Sequence, residues 1–244
     1  ILSKGKGAYI FDNRKKKILD YGMGLRSVNI GYAEPQINNA AIKQILNGNN
    51  LTRPSNIELK AASKLVGSIK SVDMVKFTKN GSTAVTAAIK LSRAFTKRNL
   101  VLRCSNHPFF SYDDWFIGNT VVSKGVPKKI KDMTINFEFN DIEAFKKKIR
   151  KFKNKIACVV MEPATDVCPK NNHDTTNCCM NYPCNRVFKK KNFIHEVQSI
   201  CKNENIVFVL DEMITGFRWD IGGAQHVMNL DPDISTFGKA MANG

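Results

Sequence analysis

The sequence predicts an α/β fold with a mostly parallel sheet flanked by helices. Short β-branched runs alternate with longer amphipathic stretches, as expected for parallel strands joined by helices. Residues 156–161 (IACVVM) and 207–210 (VFVL) are almost wholly apolar, as strands covered on both faces must be. With 244 residues, 43% of them hydrophobic, the chain can build a sizeable core in one large domain or two modest ones.

Residues 8–20 (AYIFDNRKKKILD) read as a hairpin turning at Asp12 and Asn13, and Pro35 opens a helix over 34–47, since proline suits a first helical turn. From Asn56, the recurrence of Ile57, Ala61, Leu65 and Ile69 marks a second helix. A strand is expected over 74–78, running straight into the turn Asn80-Gly81-Ser82. That turn opens a helix over 83–96, whose Ala84, Ala87, Ala88, Leu91 and Ala94 give a face for close packing. A strand follows over 100–103, helices at about 141–153 and 191–203 connect the later strands, and one more strand is expected between Asp211 and Lys239. There is no internal repeat. The Asn/Cys/Lys-rich insertion 166–190 reads as a surface loop.

Lysine and arginine outnumber aspartate and glutamate to give a net charge of +17, with lysines bunched at 15–17, 146–155 and 189–191. A nucleic-acid surface would interleave such runs with stacking aromatics, and these have none. The charge therefore speaks to solubility and steering, and neither a nucleic-acid nor a membrane partner is expected. No apolar stretch approaches the roughly 20 residues of a membrane-spanning helix. No cleavable leader is recognisable at Ile1, and a first residue other than Met suggests a start inside a longer reading frame.

Three of the seven cysteines, Cys104, Cys158 and Cys201, lie in or beside apolar segments, which fits a reducing, cytoplasmic compartment. The other four, Cys168, Cys178, Cys179 and Cys184, share the polar insertion with His173. A zinc site is one reading of that cluster. Its spacing does not form paired CxxC knuckles, so a loop without metal is expected.

Chemistry concentrates towards the end of the sequence, in IVFVLDEMITGFR and PDISTFGKAMANG. Asp211 terminates an apolar strand, the position at which open α/β sheets bind ligands. An acid there can act as a base, ligate a metal or pair with a protonated ring nitrogen. With only Glu212 beside it, metal is poorly supported. Lys239 follows small residues that leave room for a flat ring beside an amine, a setting for Schiff-base chemistry. At NGSTA, the first helical N–H groups and the hydroxyls of Ser82 and Thr83 could hold a phosphate, or either residue could simply cap the helix.

The segments GKGAYIFDNRKKKILDYG, NGSTAVTAAIKLSRAFTKR, DDWFIG, VVMEPA, LDEMITGFR and PDISTFGKAMANG stand in the order and approximate spacing of the class III pyridoxal-phosphate-dependent aminotransferases. The chain resembles most the glutamate-1-semialdehyde 2,1-aminomutase branch of that family, over essentially its whole length. The resemblance implies a fold type I large domain over 46–244, incomplete at its C-terminal end, with a piece of the small domain over 1–45. It implies pyridoxal 5'-phosphate as cofactor, a small-molecule amino donor with a keto or aldehyde acceptor, and a homodimer when full length. The activity implied is aminotransfer, or as the alternative an intramolecular aminomutase reaction or a truncated, non-catalytic remnant.

By the same resemblance, Lys239 would carry the cofactor as a Schiff base and shuttle protons, and Asp211 would pair with the pyridinium nitrogen. Gly81 and Ser82 would cradle the phosphate, Phe109 would stack on the ring, and Met213 would cover its other face. Glu162 would lie on the substrate side, and Arg26, like Arg53, could grip a carboxylate or phosphate. The departures are specific. The family's SGTEA has Thr83 in place of its Glu, its Tyr-His pair is replaced by Phe109 and Phe110, and Leu25 and Arg26 stand where aminomutases place Trp and Gly. Family members also continue well past the lysine, so the sequence is expected to be a fragment.

Overall fold

The computed structural model describes residues 1–49, 51–107, 111–164, 167–170 and 191–244. The expected hairpin forms: β2 (Tyr9–Asp12) pairs antiparallel with β3 (Lys17–Leu19), with Tyr9 opposite Leu19. Its turn is held by Asp12, whose Oδ1 accepts N–H bonds from Arg14 and Lys16, both at 2.8 Å. A third strand, β1 (Leu2–Lys6), extends the meander along the β2 edge. Its sequence, LSKGK, lacks apolar alternation; backbone pairing builds it, helped by the Ser3 hydroxyl donating to the Asp12 carbonyl at 2.8 Å. A tight turn, α1 (Met23–Arg26), follows, with Gly24 and Leu25 both at φ 56°.

Helix α2 (Pro35–Leu46) begins at its proline, and α3 (Asn56–Ser68) begins at a capping box in which Ser55 and Glu58 satisfy each other's backbone N–H groups. The strand expected over 74–78 does not form: these residues belong to no sheet, and Met74 is 90% exposed. MVKFT has strand-like composition, but a strand also needs a neighbour to pair with, and none of the described strands lies alongside.

The remaining elements are α4 (Gly81–Thr96), β4 (Leu100–Cys104), α5 (Asp114–Ile117), α6 (Lys128–Lys131), β5 (Thr134–Phe137), α7 (Ile142–Lys151), β6 (Ile156–Met161), α8 (Phe193–Asn203), β7 (Val207–Asp211), α9 (Gly223–Met228) and β8 (Ile234–Thr236). The five strands form one sheet in the order β5-β4-β6-β7-β8, parallel at every pairing. β5 was not anticipated, because TINF is short and half polar. The insertion 166–190 with Cys178, Cys179, Cys184 and His173 lies outside the described residues, apart from 167–170.

Alternation along the strands divides the core between the two sheet faces. Leu102, Val159, Met161, Phe208 and Leu210 pack with Phe145 of α7 and Ile194 and Val197 of α8. Val101, Val160 and Val209 pack on the opposite face with Val85 and Ile89 of α4 and Trp115 and Phe116 at α5. The near-continuous apolar runs in β6 and β7 thus result from burial on both sides. Among the described residues no helix is long and apolar enough to cross a membrane.

Phe208 is 1% exposed at the centre of the first cluster. Truncation in Phe208→Ala is expected to destabilise the fold by about 3–5 kcal/mol, read as a lowered urea midpoint; a midpoint close to wild type would contradict this packing.

Candidate active site

Because all five strands run the same way, their carboxyl ends share one edge, and the chemistry-bearing residues collect there. Asp211 is the last residue of β7 and is 2% exposed. Among the described residues both of its side-chain hydrogen bonds end on Oδ1, from the Met213 N–H at 2.9 Å and the Thr236 hydroxyl at 3.1 Å. Burial pushes this carboxyl up to about 6, while the Met213 N–H, the Thr236 hydroxyl and the Lys239 charge each pull it back down.

Lys239 opens a short 3-10 turn (Lys239–Met241) directly after β8, with φ at 42°. Its neighbour Gly238 and the first residue of α4, Gly81, both abut the Met213 side chain. A Cβ on Gly81 would lie 2.9 Å from the Met213 sulfur, and one on Gly238 would lie 2.6 Å away. One buried methionine, 3% exposed, therefore joins the helix start expected to hold phosphate to the segment that carries the lysine. With glycine at both positions the methionine sulfur lies this close without shifting.

Helix α4 begins two residues earlier than expected, and its cap is neither Ser82 nor Thr83. Asn80 Oδ1 accepts the Thr83 N–H at 2.9 Å and the Thr83 hydroxyl at 3.0 Å. The segment leading into α5 is tied to the same helix: Thr86 donates to Asp113 Oδ2 at 2.6 Å, and Trp115 Nε1 donates to Thr86 Oγ1 at 2.8 Å. This bond pair docks the DDWFIG segment on α4. Phe109 and Phe110 lie outside the described residues.

Glu162 follows β6 and is 2% exposed; its backbone N–H donates to His107 Nδ1 at 2.9 Å. The parallel pairing of Met161 with Leu210 sets Glu162 beside Asp211 at the sheet edge. Arg26 is brought less close. It is exposed in the left-handed turn, and its carbonyl accepts the Arg218 guanidinium. Arg53 is exposed and belongs to no regular element.

Two residues of this edge were not singled out from sequence. Glu212 does not pair with Asp211, because successive residues at a strand end point to opposite sides. It is fully buried and accepts the Thr215 hydroxyl and the N–H groups of Ala224 at 3.0 Å and Gln225 at 2.8 Å, while burial pushes its carboxyl up. Gly223, at φ 79°, permits that approach, since a Cβ there would lie 2.6 Å from Glu212 Oε1. Thr236 is the other, legible only once the β7–β8 register is known.

A parallel sheet covered on both faces, with a buried acid and a lysine at its carboxyl edge, has the arrangement of a ligand-binding open α/β sheet, and its likeness to solved transaminases makes it fold type I. The chain belongs to the class-III aminotransferase family, whose pattern matches residues 1–244. It is 28% identical over 251 residues to the glutamate-1-semialdehyde 2,1-aminomutase of Francisella philomiragia, covering 100% of this chain and 54% of that protein. Against the glutamate-1-semialdehyde 2,1-aminomutase of Sulfurihydrogenibium azorense the identity is 30% over 252 residues, covering 100% and 55%. Among solved structures, an omega-transaminase from Sphaerobacter thermophilus superposes with a TM-score of 0.80 at 26% identity, covering 98% of this chain and 54% of that one. FumI from Sphingopyxis, solved in its PLP internal aldimine form, superposes at 0.82 and 25%, covering 100% and 55%. The chain spans about half the length of the curated relatives it matches.

Asp211 has a testable pH signature. Its folded carboxyl holds a proton up to about 6, against an ordinary value of 3.8, so between these values the folded state binds more protons than the unfolded one. The stability this group contributes is full below the ordinary value and is lost as pH rises through the folded one. Without added ligand, the stability of wild type relative to Asp211→Asn is expected to fall by about 2–3 kcal/mol from about pH 4 to about pH 7. Urea unfolding across that range checks it; a flat or rising difference would contradict the assigned burial.

Proposed function

We propose that the chain is the cofactor-binding part of a pyridoxal-phosphate-dependent aminotransferase. The observation that carries this reading is the convergence of Asp211, Lys239 and the Gly81–Ser82 helix start around Met213. The fit to pyridoxal 5'-phosphate rests on this donor set: a helix N-terminus with small residues suits a phosphate, a desolvated carboxyl suits a protonated ring nitrogen, and an amine stands after β8. When bound, the cofactor supplies an electron sink for bonds broken at the substrate's amino-bearing carbon.

In this reading Gly81 and Ser82 orient the phosphate through the N-terminal amides of α4. Asp211 would hold the proton on the ring nitrogen through Oδ2, and its burial would exclude water from that contact. Met213 would pack on one face of the ring. Lys239 Nζ would attach the cofactor and would carry the proton to and from the substrate carbon. Glu162 would line the substrate side, and Arg26 would contact the substrate carboxylate from the left-handed turn.

The amino group would pass from a small-molecule donor to a keto or aldehyde acceptor. The second reading is an intramolecular aminomutase reaction, favoured by the 28% and 30% identity to glutamate-1-semialdehyde 2,1-aminomutases. We assign residues 1–45, with their separate antiparallel meander, to the small domain, and 46–244 to the large domain. The full-length protein is proposed to be a homodimer. Exposed apolar side chains on α2 (Ile42, Ile45, Leu46) and α3 (Ile57, Leu59) support a further covering surface. A cytoplasmic location fits the buried free thiols of Cys104, Cys158 and Cys201.

Borohydride reduction of the protein mixed with pyridoxal phosphate is expected to fix the cofactor on the peptide containing Lys239, and Lys239→Ala is expected to abolish the adduct. Peptide mass mapping reads the result, and labelling at another lysine would remove the central residue from this reading. In an extended protein, turnover that requires a second substrate supports transamination, whereas turnover of a single substrate supports the mutase.

A further inference from the structure

Thr236 lies opposite Asp211 in the parallel register of β7 and β8, and both residues are buried, at 4% and 2% exposure. Two bonds tie Thr236 to the end of β7. The Glu212 N–H donates to the Thr236 carbonyl at 2.9 Å, and the Thr236 hydroxyl donates to Asp211 Oδ1 at 3.1 Å. Met213 N–H reaches the same oxygen from within the β7 turn, at 2.9 Å. Rotating the carboxylate would break both bonds to Oδ1 at once, so the two donors on one oxygen fix which oxygen remains for a ligand.

We propose that Thr236 is a positioning residue whose hydroxyl orients the Asp211 carboxylate and favours its ionised form, so that Oδ2 meets the cofactor's ring nitrogen. This rests on the reading of Asp211 as the ring partner and goes beyond it, because it assigns a function to a residue that touches no substrate. A hydrogen bond donated to a carboxylate stabilises the charged form against the desolvation that opposes it. The competing account is packing alone, since a β-branched residue suits a buried strand. Valine would fill that role equally well, which separates the two accounts.

Among the described residues, the ionisable groups at the carboxyl ends of the strands around Asp211 are Lys239 after β8, Glu212 next in the chain, Glu162 after β6 and His107 after β4. Thr236→Val alters none of them, so a change in the Asp211 titration reports the lost hydroxyl.

The test uses the 244-residue chain as wild type, Thr236→Val and Thr236→Ser. Carbon-13 NMR of labelled aspartate carboxyls in the ligand-free protein, with Asp211 assigned through Asp211→Asn, reads the titration directly. The Val variant is expected to titrate about one pH unit higher than wild type, and the Ser variant at the wild-type midpoint. An unchanged midpoint in Val, or a Ser variant shifted as far as Val, overturns the proposal. Should the Val variant be too unstable to titrate, Thr236→Ala, which also lacks the hydroxyl, takes its place: a raised midpoint supports the hydroxyl's role and an unchanged one overturns it. A second measurement tests the Asp211 reading separately, by comparing dissociation constants for pyridoxal phosphate and for its deaza analogue with CH in place of the ring nitrogen. Wild type is expected to prefer the nitrogen-containing ring, and Val to lose about tenfold of that preference. If wild type does not discriminate between the two rings, the Asp211 reading fails, while the NMR titration still judges the clamp.

Discussion

The structure turns on a carboxylate held in a place that disfavours its charge. Asp211 ends a strand whose residues are all buried, and an acid taken out of water becomes neutral unless donors surround it. The chain supplies them from three places: the amide of Met213 within the turn, the hydroxyl of Thr236 across the strand pair, and the charge of Lys239 beyond it. None of these is close to Asp211 by chance. The last two depend on β7 and β8 lying in one register, and that register depends on the two apolar cores that clamp the sheet from both sides.

The same constraint explains Glu212. A second buried acid next to the first would repel it if both faced one pocket, but strand alternation sends Glu212 towards α9. There the amides of Ala224 and Gln225 and the Thr215 hydroxyl surround it. The consecutive acids thus have separate tasks: one faces the crevice edge, and the other ties the turn after β7 to a helix. Holding that turn also holds Met213, and through Met213 the spacing between α4 and the lysine segment.

The features legible in the sequence were those set by local pattern. The apolar runs of β6 and β7, the helix after NGSTA and the hairpin at Asp12 follow from periodicity and turn chemistry, and the structure has all of them. Asp211 and Lys239 were visible because strand ends and small-residue turns are local too. What depended on partners was not legible. Residues 74–78 carry strand-like side chains but lie beside none of the described strands, whereas the half-polar β5 becomes a strand because β4 offers it an edge. Thr236 looks like any strand threonine until the register sets it opposite Asp211.

The two departures from the family pattern that fall in the described residues differ in their physical consequence. Thr83, where the family has Glu, is absorbed locally: its N–H and its hydroxyl both bond to Asn80 Oδ1, so the substitution becomes part of the cap that starts α4. Leu25 and Arg26 are not absorbed in this way. Leu25 is 86% exposed, and the turn that carries it has left-handed backbone at Met23, Gly24, Leu25 and Arg26. The segment is held from outside, by Arg218 on the Arg26 carbonyl and by Asn243 Oδ1 accepting the N–H groups of Asn29 and Ile30 at 2.8 and 2.9 Å. Both anchors sit next to the catalytic candidates in sequence, Arg218 in the stretch after Asp211 and Asn243 just past Lys239. A change in that turn therefore alters a surface strapped to the lysine segment while leaving the start of α4 intact.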